Sequence, residues 1–192
     1  FFFAMLGGRD EDIAMGRTNI YLVGMMGAGK TTLGKALAHR MGHEFIDTDR
    51  ILVERTGVPV ATIFEIEGEA GFRKRESAVL AEIAGREGYV VATGGGVVLD
   101  EENRRVMRDS GTVVYLRARL ENLWERTRHD TTRPLLSTAD PRGTLQALLE
   151  EREPLYRDAA HVVVDTGSQS SSTLVTRVLS ALRERESPGA PQ

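Results

Sequence analysis

The sequence of 192 residues predicts one α/β domain in which a parallel sheet lies between layers of helices. Five short runs rich in β-branched and aromatic residues punctuate the chain: NIYLV at 19–23, HEFID at 43–47, YVVAT at 89–93, TVVYL at 112–116 and HVVVD at 161–165. Between them, apolar residues recur at helical spacing, as in 31–41, 72–84 and 142–156. Strands that are apolar almost throughout bury both faces, and parallel neighbours need helical crossovers, so the alternation calls for helices on both sides of the sheet. The length suits one such domain with a sizeable core.

Composition narrows the function classes. Hydrophobic residues make up 41% and charged residues 28%, far from the signature of disorder. A formal net charge of −3 provides no overall basic field for nucleic acid, so charge has to be read locally. The lack of cysteine removes disulfides, thiolate metal sites and thiol nucleophiles together. His39, His43, His129 and His161 have no ligand spacing and read as surface or packing residues. The hydrophobic leader candidate, Phe1–Leu6, is too short for a signal core or a membrane span, so the default expectation is a cytoplasmic protein with no membrane partner. Residues 1–17, of mixed charge and no clear period, are expected to be a disordered extension. The domain should span 18–185, and 186–192 should be a flexible tail.

In parallel α/β sheets ligands gather at the carboxyl ends of the strands. After the first strand comes G-x-x-x-x-G-K-T, with Gly24, Gly29, Lys30 and Thr31. Backbone N–H groups of Gly27, Ala28 and Gly29 and the opening of the next helix, through Thr32, suit a phosphate chain; Lys30 reaches the β/γ-phosphates and Thr31 offers a hydroxyl to Mg²⁺. The competing interpretation is a glycine turn that only caps a helix.

The second strand ends in Asp47-Thr48-Asp49. In extended chain the two carboxylates face the same way, one to hold Mg²⁺ through water and the other to accept a proton from an attacking hydroxyl. Alternatively, Asp49 caps the helix that follows. The third strand ends in Gly94, Gly95 and Gly96, which allow close approach of another molecule with backbone N–H groups free to bond it, unless they merely form a flexible turn. Arg73 and Glu76 lie three apart on one helix side, an arrangement also typical of a surface ion pair; the rest of that charged run reads as a solvated face.

Beyond the fourth strand, 125–143 is polar, contains Arg126, Arg128, Arg133 and Arg142, and has no sustained apolar period. It is a candidate lid that would exclude water and bring Arg133 to the transferring phosphate. Lys30, Mg²⁺ and one lid arginine suffice for a triphosphate, which leaves Arg73 and Arg152. Guanidinium groups are the usual means of fixing a carboxylate. With Asp49 and the glycines suited to hydroxyls, the acceptor reads as a small polyhydroxy carboxylic acid.

Taken together, GMMGAGKTT, FIDTD, FRKRE, ATGGG, RPLL and REPLY, in this order from about Asn19 to the last helix, resemble shikimate kinase. The resemblance implies a nucleoside monophosphate kinase-like fold with five parallel strands and transfer of the ATP γ-phosphoryl group to the 3-hydroxyl of shikimate. It implies that Lys30 and Thr31 serve phosphates and Mg²⁺ and that Asp47 lies in the Mg²⁺ water shell. It further implies that Asp49 binds shikimate hydroxyls and acts as base, that Arg73 and Arg152 hold the carboxylate, and that Glu76 steadies Arg73. Gly94, Gly95 and Gly96 would line the acceptor site, Arg133 would meet the γ-phosphate, and Arg126 would pack on adenine. The loop 165–173, with Gln169, would border the base, although it lacks the Arg and Pro that some members carry. A monomer acting on ATP and shikimate, with neither nucleic acid nor membrane as partner, is the expectation.

Two rivals share the phosphate loop. A kinase of gluconate or another hydroxy acid is opposed by FRKRE together with REPLY. A GTP-dependent switch needs Asn-Lys-x-Asp, and none of the three asparagines precedes Lys; Asp140-Pro-Arg-Gly143 matches its D-x-x-G pattern but follows a polar loop.

Overall fold

The computed structural model describes residues 16–186. Most of the expected N-terminal extension, 1–15, and the tail from 187 lie outside the described residues. Along the chain run β1 (Asn19–Val23), α1 (Lys30–Met41), β2 (Glu44–Asp47), α2 (Thr48–Thr56), α3 (Val60–Ala84), β3 (Tyr89–Ala92), α4 (Glu101–Ser110), β4 (Gly111–Ala118), α5 (Leu120–Thr127), α6 (Pro141–Ala159), β5 (Val162–Thr166) and α7 (Ser171–Glu186).

All five strands pair in parallel in the order β2-β3-β1-β4-β5, so the expected sheet is present. The central β1 is buried at every position. The edge strands depart from the expectation that both faces are covered: β2 is only half-buried, and Val163 and Asp165 of β5 are exposed. A strand with a neighbour on one side alone leaves part of its surface to solvent. β4 is longer than its apolar run because Arg117 extends it, reaching Asp165 of β5 through two hydrogen bonds of 2.5 and 2.8 Å.

Three helices have features that local apolar spacing does not show. In α4, EENRRVMRDS, charge dominates. It is held by the Asp100 carboxylate, which accepts the Glu102 N–H at 2.8 Å, and by Arg104 and Arg108, which reach Asp158 at the end of α6. α3 is interrupted at Gly68 (φ 69°, ψ 179°), so its first half carries an apolar face away from the axis of 69–84. The D-x-x-G tetrapeptide is a helix start: the Asp140 carboxylate accepts the Gly143 N–H at 3.0 Å, with Pro141 in the first turn of α6.

Among the described residues no helix is long and apolar enough to cross a membrane. The N-terminus of the sheet is fastened by a buried polar residue. Asn19 donates to the carbonyl oxygens of Arg86 at 2.8 Å and Ile83 at 3.3 Å, and accepts the Tyr89 N–H at 3.0 Å, tying β1 to the end of α3 and the start of β3.

His161 plays a similar role at the other edge, where its Nδ1 accepts the Val113 N–H at 3.0 Å. Burial, reinforced by Arg185 and Arg108, pushes its pKa from the usual 6.5 down to about 4. Between those values the unfolded chain binds the proton that the fold refuses. Stability is therefore complete above pH 6.5 and is lost as pH falls toward 4, by ~1–2 kcal/mol after allowance for the ring's partial exposure. Urea titrations from pH 4 to 7 should show a flatter dependence for His161→Asn, whose amide oxygen keeps the acceptor without titrating. Identical slopes for the two proteins would count against this origin.

Candidate active site

Gly29 adopts φ 93°, a left-handed conformation that glycine takes without strain, and this bends the loop after β1 into the start of α1. Lys30 folds back under the loop, its Nζ donating to the carbonyls of Gly24 at 2.7 Å and Met25 at 2.9 Å. Burial pushes its pKa down to about 8 against the pull of Asp49. Ala28 faces the core and its N–H donates to the Met25 carbonyl at 3.1 Å. Thr31 and Thr32 are exposed in the first turn of α1.

The two aspartates differ from the extended-chain expectation because α2 begins at Thr48, directly after β2. Asp47, not Asp49, caps this helix: its Oδ1 accepts the N–H groups of Asp49 at 3.1 Å and Arg50 at 3.2 Å. Its Oδ2 accepts the Thr31 hydroxyl at 2.9 Å. Asp49 is thereby released into the cleft from the first helical turn, with a buried Oδ1 that has no hydrogen-bond partner. Burial raises its pKa, and Asp47 adds to the rise while Lys30, Arg133 and Arg73 oppose it.

The glycine triplet is shaped chiefly by protein side chains, which corrects the expectation that its N–H groups are all free for a ligand. Gly94 donates its N–H to Thr48 Oγ1 at 3.1 Å, and a Cβ there would overlap the Glu76 carboxylate. At Gly96 a Cβ would overlap the Arg73 guanidinium, while at Gly95 it would sit 3.6 Å from an Arg152 nitrogen. Gly94 and Gly96 hence let Glu76 and Arg73 close on the backbone, whereas a Cβ at Gly95 would make only ordinary contact with Arg152. Gly96→Ala should leave stability nearly unchanged, since the far end of a flexible side chain gives way, yet raise the acceptor KM by ~10-fold or more because Arg73 is displaced. An unchanged acceptor KM in steady-state assays would refute that reading.

Arg73 bonds Glu76 at 2.9 Å and Glu69 at 3.1 Å, and lies over the Phe72 ring at 5.2 Å. Glu76 is wholly buried, and burial raises its pKa against the pull of Arg73. Arg75 is exposed, as expected of a solvated face, and there holds Glu67 through two bonds of 2.6 and 2.7 Å across the Gly68 break. Arg152 is only 2% exposed, and among the described residues no carboxylate lies within 4.0 Å of it.

A cavity of about 370 Å³ brings together Asp49, Arg73, Glu76, Gly94, Gly95, Gly96, Arg133 and Arg152. Its apolar wall comes from Met26, Val53, Val60, Phe64, Phe72 and Leu135. Sequence reasoning missed this wall, whose available signal was the apolar face of 60–64 just before the Gly68 break. Unpartnered buried atoms cluster here: Asp49 Oδ1, Glu76 Oε1, Arg73 Nε and Arg152 Nε. Such atoms cost stability, which marks a place shaped for something other than folding.

The candidate lid proves shorter than 125–143, since its first residues finish α5 and its last begin α6. Between them Arg133 lies 2.8 Å from Asp130, and Asp130 in turn accepts the Thr132 N–H at 2.9 Å. Arg126 sits apart from the acceptor group, donating to the carbonyls of Gly27 at 3.0 Å and Gly167 at 2.8 Å. It thus joins the phosphate loop to the loop after β5, where Gln169 accepts the Gly167 N–H at 2.7 Å.

The family model described as shikimate kinase matches residues 26–183. The chain belongs to the shikimate kinase family. The matched stretch takes in every candidate site residue from Gly27 to Gln169. The chain is 57% identical to the shikimate kinase of Bordetella avium over 87% of its own length and 80% of that protein. It is 52% identical to that of Chromobacterium violaceum, covering 91% and 94% respectively. A solved structure described as shikimate kinase from Acinetobacter baumannii in complex with shikimate is 43% identical, superposes with a TM-score of 0.87, and matches across 89% of this chain and 96% of that one. A gluconokinase from Sinorhizobium meliloti, 22% identical with a TM-score of 0.57 over 88% of this chain and 93% of its own, shares the fold alone. The shikimate kinase relatives are thus much nearer in both sequence and shape than the representative of the rival hydroxy-acid class.

Proposed function

We propose that the chain transfers the γ-phosphoryl group of ATP to the 3-hydroxyl of shikimate, giving shikimate 3-phosphate and ADP. The observation that carries this reading is the placing of two guanidinium groups, Arg73 and Arg152, with the Asp49 carboxylate in one cavity beside the phosphate loop. Two fixed cations suit a carboxylate, the neighbouring carboxylate suits hydroxyls, and the apolar wall suits the carbon skeleton of a small ring.

Lys30 would exchange its loop carbonyls for phosphate oxygens, and Arg126 would lie along the base near Gln169. Thr31 Oγ1 and Asp47 Oδ2, 2.9 Å apart, are hard oxygen donors that fit Mg²⁺. The described residues include no group of three or more His, Cys, Asp or Glu able to hold a metal, so the remaining coordination would fall to water and phosphate. Bound there, Mg²⁺ would neutralise charge on the β- and γ-phosphates. Asp49, held off the Mg²⁺ donors by the α2 turn, would orient the acceptor hydroxyl and take its proton. Arg133 would leave Asp130 to meet the transferring group, with its short lid excluding water.

The test is an ADP-release assay with shikimate, gluconate and nucleoside monophosphates supplied separately. ADP should form with shikimate at a kcat/KM at least ~100-fold above the others. Preference for gluconate, or no release above the ATPase background with shikimate, would sink the assignment.

A further inference from the structure

The last residue of the REPLY motif has no part in the function above, yet it is bonded to the glycine triplet that borders the acceptor site and reaches the phosphate loop beside it. Tyr156 is fully buried, and its ring stacks on Tyr115 at 5.0 Å with planes 24° apart. Its hydroxyl donates to the carbonyl of Gly95, the middle glycine of the triplet, at 2.5 Å, and lies 3.5 Å from the Met25 sulfur in the phosphate loop. Arg152 stands four residues earlier on α6, hence on the same helix face. Between them is Pro154, which has no N–H to bond the Glu150 carbonyl, so the helical ladder is one bond short where Arg152 is carried.

A peptide plane is rigid. Anchoring the Gly95 carbonyl therefore orients the Gly95–Gly96 peptide as a whole, and Gly96 is where the Arg73 guanidinium rests against the backbone. One hydroxyl thus fixes α6, and with it Arg152, relative to the loop against which Arg73 is seated. We infer that Tyr156 is a positioning residue for the acceptor, setting the separation and orientation of the two guanidinium groups without touching the substrate itself. The inference rests on the proposed shikimate kinase activity.

Tyr156→Phe tests it, because the ring and its stacking survive while the hydroxyl is lost. Wild-type activity on shikimate is measured first: its absence refutes the functional reading, whereas a difference confined to the variant bears on Tyr156 alone. Tyr156→Phe should raise the KM for shikimate by about 10-fold and leave the KM for ATP within about twofold. Tyr115→Phe removes a second buried hydroxyl, one with no hydrogen-bond partner, and should alter neither constant. In an Arg152→Ala background, Tyr156→Phe should cost less than about twofold in kcat/KM, since one of the two groups whose separation it sets is gone. An unchanged KM for shikimate, an equal rise in both KM values, the same effect from Tyr115→Phe, additive losses in the double variant, or loss of the folded state on removing this hydroxyl would each overturn the inference.

Discussion

Asp49→Asn is expected to lower kcat by ~10²–10⁴-fold, the span that a positioned general base contributes. The reason lies in how the Asp-Thr-Asp turn divides labour. Asp47 is committed to the α2 N-terminus and to the Thr31 hydroxyl, so it has no oxygen to spare for the acceptor. Asp49 keeps a buried Oδ1 without a partner, and burial together with Asp47 raises its affinity for a proton. An amide of the same shape can still bond a hydroxyl but cannot take its proton. The KM for shikimate should therefore change much less than kcat. Removing a desolvated charge that faces Asp47 should leave thermal stability equal or slightly higher. Rapid-quench single-turnover measurements separate chemistry from product release; a wild-type phosphoryl-transfer rate in the variant would remove Asp49 from catalysis.

Arg152→Met should raise the KM for shikimate by roughly 30- to 1,000-fold, the equivalent of ~2–4 kcal/mol for loss of one buried partner of a charged contact. ATP affinity should stay near the wild-type value. The same substitution should make the ligand-free protein no less stable, and up to ~1–2 kcal/mol more stable, in urea titrations. This pairing of effects follows from burial: Arg152 is 2% exposed, its Nε lacks a partner, and no carboxylate of the described residues lies within 4.0 Å. A desolvated cation without a counter-ion weakens the fold unless a ligand supplies one, and a methionine fills the same space without that cost. A structural arginine behaves oppositely, with stability falling and both KM values rising together. That outcome would remove Arg152 from acceptor recognition.

Much of this was legible in the chain because it depends on local pattern. The five strands follow from β-branched runs, and their parallel direction, though not their order, from the helices between them. The phosphate loop is readable since a glycine turn, a lysine and a hydroxyl at fixed spacing act within a single strand–loop–helix unit. Arg73 and Arg152 could be singled out by counting cations against phosphates. Less accessible were α4, whose charged sequence offers only Val106 and Met107 as apolar markers, and the ends of the lid, where polar residues continue α5 and open α6. The extended geometry expected for Asp47 and Asp49 failed because nothing in three residues says that a helix starts at the second.

By itself, then, the sequence determined the α/β architecture, the nucleotide loop and an acidic acceptor, since each is encoded by residue types at short separations. Tertiary structure alone decided that Asp47 caps while Asp49 is free, and that Glu76 and Arg73 crowd the glycine triplet. It also decided that Tyr156 is tied to Gly95. These are contacts between α2, α3, β3 and α6, up to 61 residues apart along the chain. Burial and orphaned charge arise only when such elements pack, and no spacing along one element records them.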